Sequence, residues 1–472
     1  MSFPKYPEYK DSGVEWLGEV PAHWEVKPLK HVATYNDDVL AESTPDNFEI
    51  KYVEISDVDE HRGVVGWSVH TFASAPSRAR RVLRHGDVLI STVRTYLRAI
   101  APVIQPPANL IGSTGFAVIR PGSTELRSGL LGYALRAEGF ISEVISRSVG
   151  VSYPAINASD LVSIGVPVPP LAEQLEITSF LGHQTAKIDK LIEEQRRLIE
   201  LLKEKRQAVI SHAVTKGLDP NVPMKDSGVE WLGEVPAHWT VAALRWYATI
   251  QGGLAKGKKY GLDEPVVSRP YLRVANVQDG HFNLSVVHDV AVGLSEVSRY
   301  ELREGDVLMN EGGDSDKLGR GAVWQGAIEG CLHQNHVFAI RPNRHLSATW
   351  LSMFTRSDSA RSYFYLYSKQ STNLASISSR NVMACPVPIP PIKEQREILG
   401  RLSDALVQID GLMDETEGAM ALLQERRSAL ISAAVTGKID VCGWSAGAEA
   451  EESELAMVAE ESAGYSAQGG AA

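Results

Sequence analysis

One fifteen-residue segment occurs twice in the chain, and it constrains the fold more than any other feature of the sequence. Residues 10–24 and residues 225–239 both read KDSGVEWLGEVPAHW. Fifteen consecutive identities do not arise by chance, so either an element was duplicated or a surface with one function is present twice. Whether the rest of the chain repeats at the same distance decides between a local and a global duplication.

The repeat extends over most of the chain. At a distance of about 220 residues, the second half matches HGDVLIS with EGDVLMN and FAVIRP with FAIRP. It also matches VPVPPLAEQ with CPVPIPPIKEQ, and KEKRQAVISHAVTKG with QERRSALISAAVTGK. The motifs keep their order while the segments between them diverge. This pattern predicts a tandem duplication, with two modules on one scaffold that do the same kind of task on different targets.

A long helical pattern follows each Pro-Pro pair. Residues 171–215 contain no proline and a single glycine. Glu173 and Glu394 suit a first helical turn, and Gly217 and Gly437 are typical of the position after a last turn. The spacing predicts one helix of about 45 residues per repeat, about 65–70 Å long.

These helices carry narrow apolar stripes. The stripes comprise Leu181, Ile188, Leu191, Ile192, Leu198, Ile199, Leu202 and Val209, and then Ile398, Leu402, Leu406, Ile409, Leu412, Met413, Met420, Leu423, Leu430 and Val435. A stripe of this kind on so long a helix favours a second helix as its partner, so we predict an antiparallel coiled coil. The alternative is two independent amphipathic helices, each on its own domain.

The segments between the motifs have mixed patterns. Short β-rich runs at 52–58, 87–92, 115–121, 271–277 and 336–342 alternate with turn signals, and helical patterns cover 130–146 and 349–367. The predicted fold class is therefore α+β, a tandem pseudo-two-fold repeat of two mixed α/β domains joined by two long antiparallel coiled-coil helices. The predicted segments are a box at 1–24, a mixed domain at 25–168, a helix at 169–217, a linker and second box at 218–239, a second mixed domain at 240–389, a second helix at 390–441 and a tail at 442–472.

Composition limits the class of protein. A chain of 472 residues with 44% hydrophobic residues suits a globular protein with several domains. We find no apolar run of about 18 residues, no signal-peptide pattern and no CxxC spacing among the three cysteines, so we expect a cytoplasmic protein with reduced thiols. The net charge of −11 argues against nucleic acid, but the six glutamates in 445–472 occur without lysine or arginine. We predict that this segment is a disordered acidic tail.

Motifs for catalysis are missing from the sequence. It contains no GxxxxGK[ST], HExxH or GxSxG, and no Asn-Pro-Pro-aromatic motif of the kind that amino-methyltransferases use. The glycine-rich stretch at 310–321 fits neither phosphate-loop spacing, so we interpret it as a flexible loop. His23 and His238 recur in the two boxes, where packing or capping is favoured over metal binding. We predict that the chain is not an enzyme and holds no metal.

Basic residues accompany the GDVL motif in both halves. The first group is Arg78, Arg80, Arg81, Arg84, Arg94 and Arg98, and the second is Lys256, Lys258, Lys259, Arg269, Arg273, Lys317 and Arg320. Arginine can recognise guanine, asparagine can recognise adenine, and lysine neutralises phosphate. For any single residue a solvated basic face is the simpler interpretation. The shared position beside one repeated motif favours binding to DNA.

The joint order of these motifs, over about residues 5–441, resembles the specificity (S, HsdS) subunit of type I restriction-modification systems. The resemblance implies two target-recognition domains, each recognising one half of a split DNA site. It also implies a coiled coil that sets the spacing and docks two methyltransferase (modification) subunits. Those partners would methylate adenine N6 with S-adenosylmethionine, and restriction subunits would use ATP and Mg for translocation and cleavage.

The same resemblance places DNA contacts in three loops of each domain, at 91–98, 113–114 and 153–157, and at 310–320, 334–336 and 369–373. The predicted DNA-binding residues are Arg78, Arg80, Arg81, Ser91, Arg94, Tyr96, Arg98, Ser113, Thr114, Tyr153, Asn157, Lys256, Lys258, Lys259, Asn310, Lys317, Arg320, Gln334, Asn335, His336, Lys369 and Asn373. Identical boxes would suit identical partners, so Trp16, Trp24, Trp231 and Trp239 are predicted docking anchors. The alternative is that each box packs on the helix within the chain.

Two other functions stay open at this point. One is the specificity subunit of a related system in which methylation and cleavage belong to one partner chain. The other is a coiled-coil scaffold that pairs two protein-binding domains and has no DNA role.

Overall fold

The chain forms two compact units in a computed structural model that describes residues 3–60, 62–122, 125–257, 259–261, 263–313, 318–370 and 375–446. Unit 1 contains Met1–Gln195 and Gly418–Ala472, and unit 2 contains Arg196–Glu417. Most of the predicted acidic tail, from residue 447 onward, lies outside the described residues. So do three predicted DNA-binding residues, Lys258, Lys317 and Asn373.

Unit 1 is built on two four-stranded sheets among its described residues. The strands are β1 Tyr9–Asp11, β2 Glu19–Pro21, β3 Glu25–Pro28, β4 Ala33–Tyr35, β5 Glu49–Val53, β6 Val58–Asp59, β7 Gly63–Val64, β8 Ser68–Thr71, β9 Ala79–Val82, β10 Val88–Ser91, β11 Ile100–Pro102, β12 Leu110–Ser113, β13 Phe116–Pro121 and β14 Gly165–Val168. The first sheet has the order β11-β10-β13-β4, and the second has the order β8-β5-β12-β9. Short pairs join β1 to β2, β3 to β14 and β6 to β7.

Short helices cover one side of unit 1 and precede the first long helix. The short helices are α1 Leu29–Val32, α2 Ser128–Ala134, α3 Glu138–Ser146 and α4 Ala158–Leu161. The long helix is α5 Leu171–Lys216. The helical pattern predicted over 130–146 is two helices, because the backbone is extended at Ala137, with φ −66° and ψ 138°. Leu130, Phe140 and Phe180 are completely buried in the core that these helices form on the first sheet.

Unit 2 repeats this order of elements. Its strands are β15 Met224–Asp226, β16 Glu234–Pro236, β17 Thr240–Ala243, β18 Ala248–Gly252, β19 Val266–Leu272, β20 His288–Gly293, β21 Val307–Asn310, β22 Gly312–Gly313, β23 Gly321–Val323, β24 Leu332–His333, β25 Val337–Pro342, β26 Lys369–Gln370, β27 Ala375–Ser376 and β28 Pro386–Ile389. Its helices are α6 Val297–Tyr300, α7 Ala348–Thr355, α8 Asp358–Leu366, α9 Ser379–Ala384 and α10 Ile392–Val435. The helical pattern predicted over 349–367 is likewise two helices, α7 and α8.

The sheet orders show that the duplication is structural. In unit 2 the order β23-β21-β25-β18 corresponds strand for strand to β11-β10-β13-β4 of unit 1. A smaller sheet with the order β20-β19-β24 corresponds to β8-β5-β12. The interpretation of residues 310–321 as a flexible loop was wrong in part, since Gly312 and Gly313 form strand β22, which pairs with β27.

The two long helices are antiparallel in each unit. In unit 1, Phe180 of α5 shares a core with Val435 of α10, and Arg427 of α10 donates to Asp189 of α5 at 2.8 Å. As the residue number rises along α5, the number of the contacting residue in α10 falls, so the two helices run in opposite directions. Unit 2 shows the same order, which confirms the antiparallel prediction.

In unit 2, Val214 near the end of α5 lies in one core with Ile398 near the start of α10. Arg206 donates to Asp410 at 2.7 Å. Arg206–Asp410 and Arg427–Asp189 are equivalent pairs of the repeat. The predicted stripes are wider than the contact, since Leu191, Leu198 and Leu412 are 41–50% exposed. A two-helix seam covers only the positions that face the partner helix.

Each repeated box folds onto the first turn of the long helix that follows it. Trp24 is 0% exposed, and its Nε1 donates to Oε2 of Glu173 at 2.9 Å. His23 Nε2 contacts the other oxygen of Glu173 at 2.7 Å. Because the indole is enclosed by its own unit, it offers no surface to a partner, and the docking prediction for Trp24 is corrected.

Unit 2 has the same arrangement. Trp239 is 1% exposed and donates to Oε1 of Glu394 at 2.9 Å, while His238 contacts Oε2 at 2.8 Å. The docking prediction for Trp239 is corrected for the same reason. The box therefore acts within the chain at these positions, and the first-turn glutamate satisfies two donors.

The other two box tryptophans are half-buried. Trp16 Nε1 donates to Gly165 O at 3.1 Å, and its ring lies so close to Gly139 that a Cβ there would be 2.7 Å from it. The ring of Trp231 lies 5.2 Å from that of Tyr363. A partner role for Trp16 and Trp231 stays a prediction.

Candidate nucleic-acid interface

A buried ion pair joins the GDVL motif to the Arg-Pro motif in each unit. In unit 1, Arg120 donates from Nε and Nη2 to the two oxygens of Asp87, both at 2.8 Å, and Asp87 is 1% exposed. In unit 2, Arg341 donates to Asp306 at 2.7 and 2.6 Å, and Asp306 is 0% exposed. These hydrogen bonds raise the pKa of both guanidinium groups. The pairing was not predicted from the sequence, although both motifs recur at one distance.

The same carboxylates close the turn before the central strand. Asp87 accepts from the backbone N–H of Arg84 at 2.7 Å, and Asp306 accepts from that of Arg303 at 2.8 Å. In these turns Gly86 has a φ of 89° and Gly305 a φ of 87°, values that a residue with a Cβ rarely adopts. The turn, the ion pair and the sheet together fix the direction in which β10 and β21 deliver the loops at their far ends.

Three loops of unit 1 meet at the end of β10. Thr92 donates its N–H to Gly115 O at 2.9 Å, and Ile156 donates to Thr92 O at 2.9 Å. Arg94 donates its N–H to Pro154 O at 2.7 Å. The loops predicted at 91–98, 113–114 and 153–157 therefore form one surface, which we call recognition surface 1. Its exposed members include Arg78, Arg94, Tyr96, Thr114 and Tyr153.

Arg94 is held in place by both its backbone and its side chain. Its backbone is left-handed, with φ 51° and ψ 49°, a conformation that costs a non-glycine residue about 1–3 kcal/mol. Its guanidinium lies 4.8 Å from the ring centroid of Tyr153, which is 65% exposed. The strain is maintained by the Pro154 hydrogen bond and the ring contact. Together they present a cation and an aromatic face at fixed positions.

The remaining unit 1 candidates have partners of their own. Arg80 lies 5.0 Å from the Phe72 ring centroid. Arg81 donates to Asn36 O at 3.3 Å, and burial lowers the pKa of its guanidinium. Asn157 donates to Asp160 at 3.2 Å. Each of these side chains therefore has a contact within unit 1 near recognition surface 1.

Two unit 1 predictions are corrected, those for Ser91 and Ser113, and Arg98 has partners of its own. Ser91 is 3% exposed and donates to Val93 O at 2.6 Å, and Ser113 is 4% exposed and accepts from Gly115 N at 3.2 Å. Both hydroxyls stabilise the loops from inside. Arg98 donates to both oxygens of Glu138 at 2.7 Å and to Glu60 at 3.2 Å, so its charge is neutralised within the unit. The hydrogen bonds to Glu138 raise the pKa of Arg98.

Unit 2 builds the equivalent surface on the same backbone frame. Glu311 donates its N–H to His336 O at 2.9 Å, and Ile377 donates to Glu311 O at 2.9 Å. Strands β22, β27 and β26 bring residues 369–370 and 375–376 alongside. Asn335 donates its N–H to Leu254 O at 3.1 Å, which adds the lysine-bearing loop. The members of recognition surface 2 are Lys256, Lys259, Glu311, Asn335, His336 and Lys369.

Other unit 2 candidates lie beneath this surface. Asn310 is 4% exposed and its Nδ2 donates to Val277 O at 3.0 Å, so its prediction as a DNA contact is corrected. Gln334 is half-buried and accepts from Val274 N at 3.4 Å. Arg320 is half-buried, with its carbonyl accepting from Asn310 N at 2.8 Å. Glu311 was missed because an acidic residue is not expected on a DNA-binding face.

Two findings concern other kinds of site. Within the described ranges, no group of three or more His, Cys, Asp or Glu side chains has the arrangement of a metal site. None of the helices built from described residues is both long and apolar enough to cross a bilayer.

Comparison with known proteins gives a family. Residues 21–201 match the family model described as type I restriction modification DNA specificity domain. The chain is 24% identical over 324 residues, 68% of each chain, to the type I restriction enzyme EcoKI specificity subunit of Escherichia coli (strain K12). It is 21% identical to a Methanocaldococcus jannaschii protein described as a candidate type I restriction enzyme MjaX specificity subunit, across 93% of this chain and 99% of that one.

A solved chain of a type I R-M system has the same fold. Its TM-score is 0.66 at 23% identity, and the match covers 88% of this chain and 98% of that chain. The family match covers the first repeat, the second repeat has the same motifs and sheet orders, and the Methanocaldococcus relative extends over both. Residues 21–201 therefore carry a type I restriction modification DNA specificity domain, and the chain as a whole is similar to type I restriction enzyme specificity subunits.

Proposed function

We propose that each unit of this specificity subunit recognises one half of a bipartite DNA site. Unit 1 binds its half-site through recognition surface 1, and unit 2 binds the other through recognition surface 2. The long helices α5 and α10 set the number of base pairs between the half-sites. The recognition surfaces of the two units must differ, because the two half-sites differ in sequence.

One observation carries the proposal. In each unit the loops that diverge between repeats come together at the end of the central strand, while the frame that holds them is the same. Thr92 and Glu311 occupy equivalent positions and make the same backbone hydrogen bond. Arginine, lysine and tyrosine dominate the exposed side chains, which are the types that bind phosphate and base edges.

We further propose that the chain assembles with two methyltransferase subunits and with restriction subunits. Apolar side chains on the long helices remain 41–69% exposed, namely Leu191, Leu198, Leu201, Val407 and Leu412, and would be covered by partners. S-adenosylmethionine would be bound by the methyltransferase subunits for methylation of adenine N6, and ATP and Mg by the restriction subunits. A single partner chain with both activities would use the same surfaces, and co-purification separates the two arrangements.

A domain exchange tests the division of labour. We expect that replacing residues 25–165 with the equivalent domain of a relative changes one half-site and leaves the other half-site and the spacing unchanged. The reason is that unit 1 holds recognition surface 1 on its own core. Sequencing of adenine methylation in cells that carry the assembled complex gives both half-sites at once. A change in both half-sites would contradict independent recognition, and methylation without a bipartite motif would contradict the proposed function.

A further inference from the structure

The equivalent positions of the two recognition surfaces carry side chains of different chemistry. In unit 1 they are Thr92 and Gly115, which bring no charge. In unit 2 they are Glu311 and His336, whose side chains are in contact: Nδ1 of His336 lies 2.8 Å from Oε2 of Glu311. The backbone frame is the same in both units, so the difference lies in what the side chains present.

The contact of His336 with Glu311 is part of a chain of hydrogen bonds with one direction. A carboxylate only accepts, so Nδ1 of His336 carries the proton and donates to Glu311. Nε2 of a neutral imidazole then accepts, and Nδ2 of Asn335 lies 3.3 Å from it. The amide of Asn335 thus orients the imidazole, and the imidazole orients the carboxylate.

The carboxylate is directed at a cleft and keeps one oxygen free. The side chain of Glu311 is 31% exposed and that of His336 is 57% exposed. Within the part of the chain that the structure describes, Oε1 of Glu311 has no hydrogen-bond donor. Gly312 and Gly313 line the cleft beside it, together with Lys369 and Gln370. A Cβ at Gly312 would lie 2.8 Å from Ala375 O, so the wall next to the carboxylate stays bare.

A held carboxylate on a DNA-binding surface discriminates between bases by what it repels. It is repelled by phosphate, by guanine N7 and O6, and by thymine O4, all of which are acceptors. Adenine presents N6 beside the acceptor N7 of the same base, whereas cytosine presents its N4 amine with no acceptor on its own major-groove edge. Cytosine therefore fits Oε1 of Glu311 best, and Lys369 supplies the positive charge for the backbone.

We propose that Glu311 is a specificity-determining residue that accepts a hydrogen bond from a cytosine N4 amine in the half-site of unit 2, and that His336 is its positioning residue. The proposal rests on the proposed function and names the substrate of one position within it. It requires that the half-site left unchanged by the exchange of residues 25–165 contains a cytosine that the complex demands.

The test is Glu311→Gln in the complete complex. Glutamine keeps the shape and can still accept from His336, but its amide also donates and pairs with adenine at N6 and N7. We expect the preference for cytosine over adenine at one position to fall about tenfold, with the unit 1 half-site unchanged. Competition between duplexes that differ at that position measures the ratio, and methylation sequencing identifies the position.

Glu304→Gln is the matched control, because it removes the same charge at the opposite, exposed end of β21, and we expect it to leave the motif unchanged. His336→Ala should lower the preference for cytosine when Glu311 is present and should have no further effect on it in the Glu311→Gln background. If His336→Ala lowers the preference equally in both backgrounds, His336 does not position Glu311.

The outcomes separate the two proposals. If the wild type yields no bipartite motif, the proposed function fails. If the motif is bipartite but the unit 2 half-site demands no cytosine, or if Glu311→Gln leaves every preference as it was, only the role of Glu311 fails. Tighter binding of Glu311→Gln to all duplexes alike would mean that the carboxylate merely repels phosphate, which also overturns the role.

Discussion

At the scale of single residues, the molecule separates side chains that build the frame from side chains that face outward. Asp87 is buried, its partner Arg120 is half-buried, and both are repeated in the other unit, whereas Arg94 and Glu311 are at least partly exposed and are not repeated. A repeated residue with a buried partner has a structural reason to be the same in both units. A residue that differs on the same frame is free to serve a different half-site.

Arg94 gives the first test at this scale. Arg94→Ala should cost about 1–3 kcal/mol of binding free energy and relax one position of the unit 1 half-site, because a held guanidinium recognises guanine through two hydrogen bonds. Binding assays with single-substitution duplexes measure both effects. Arg98→Ala is the control, since the charge of Arg98 is already paired with Glu138. If Arg94→Ala weakens all duplexes equally and the salt dependence becomes shallower, Arg94 contacts only phosphate.

The buried ion pair gives the second test. Arg120→Ala leaves the carboxylate of Asp87 buried without its cation, so unit 1 should lose about 3 kcal/mol of unfolding free energy. This value is at the lower end for a buried pair because the Arg120 side chain is 24% exposed. Arg84→Ala removes an arginine from an ion pair with Asp38, but Arg84 is 64% exposed and the cost should stay below about 1 kcal/mol. Urea unfolding of both variants checks the difference, and equal costs would show that burial of the pair is unimportant.

At the scale of elements, α5 and α10 are the parts proposed to set the spacing between the half-sites. Each helix starts at a box-bound glutamate, and each contributes one arginine and one aspartate to the equivalent ion pairs Arg206–Asp410 and Arg427–Asp189. An arginine in one helix therefore selects an aspartate in the other and fixes the antiparallel register by charge as well as by apolar contact. A helix pair with a fixed register has a defined length, which is what a spacer between two binding domains requires.

Lengthening both helices tests the spacer. Four residues inserted after Glu194 and four after Glu415 add about 6 Å of helix. Since DNA rises about 3.4 Å per base pair, the gap between half-sites should grow by about two base pairs. Four residues exceed one helical turn by about 40°, so the apolar stripe continues as a stutter, and small DNA twisting absorbs the remaining rotation. Methylation sequencing reads the gap directly. An active complex with an unchanged gap would mean that the helices do not set the spacing.

At the scale of the whole molecule, the duplication would let one chain recognise the proposed asymmetric site and still bind two identical partners. The boxes, the frame and the helices are alike in both units, so they present equivalent surfaces. The recognition surfaces differ, with an arginine on a tyrosine in unit 1 and a histidine–glutamate pair in unit 2. Similarity and difference are thus confined to separate parts of each unit.

Local sequence signals were sufficient to predict the duplication, the mixed α+β class and the extents of the long helices. Prolines, first-turn glutamates and final glycines act on their immediate neighbours, and Gly217 and Gly437 indeed have φ of 75° and 70° after the last helical turns. Local pattern was less reliable for residues 130–146, where extended backbone at Ala137 divides one predicted helix into two.

Only the tertiary structure decided which polar side chains face outward. Ser91, Ser113 and Asn310 belong to residue types that bind DNA, yet each is 3–4% exposed and bonded to backbone. Asp87 meets Arg120 across 33 residues, and Trp24 meets Glu173 across 149. Whether a side chain is enclosed depends on segments this distant in the sequence coming together. Composition and spacing describe each segment by itself, so they could identify the loops of the interface but not the side chains that those loops expose.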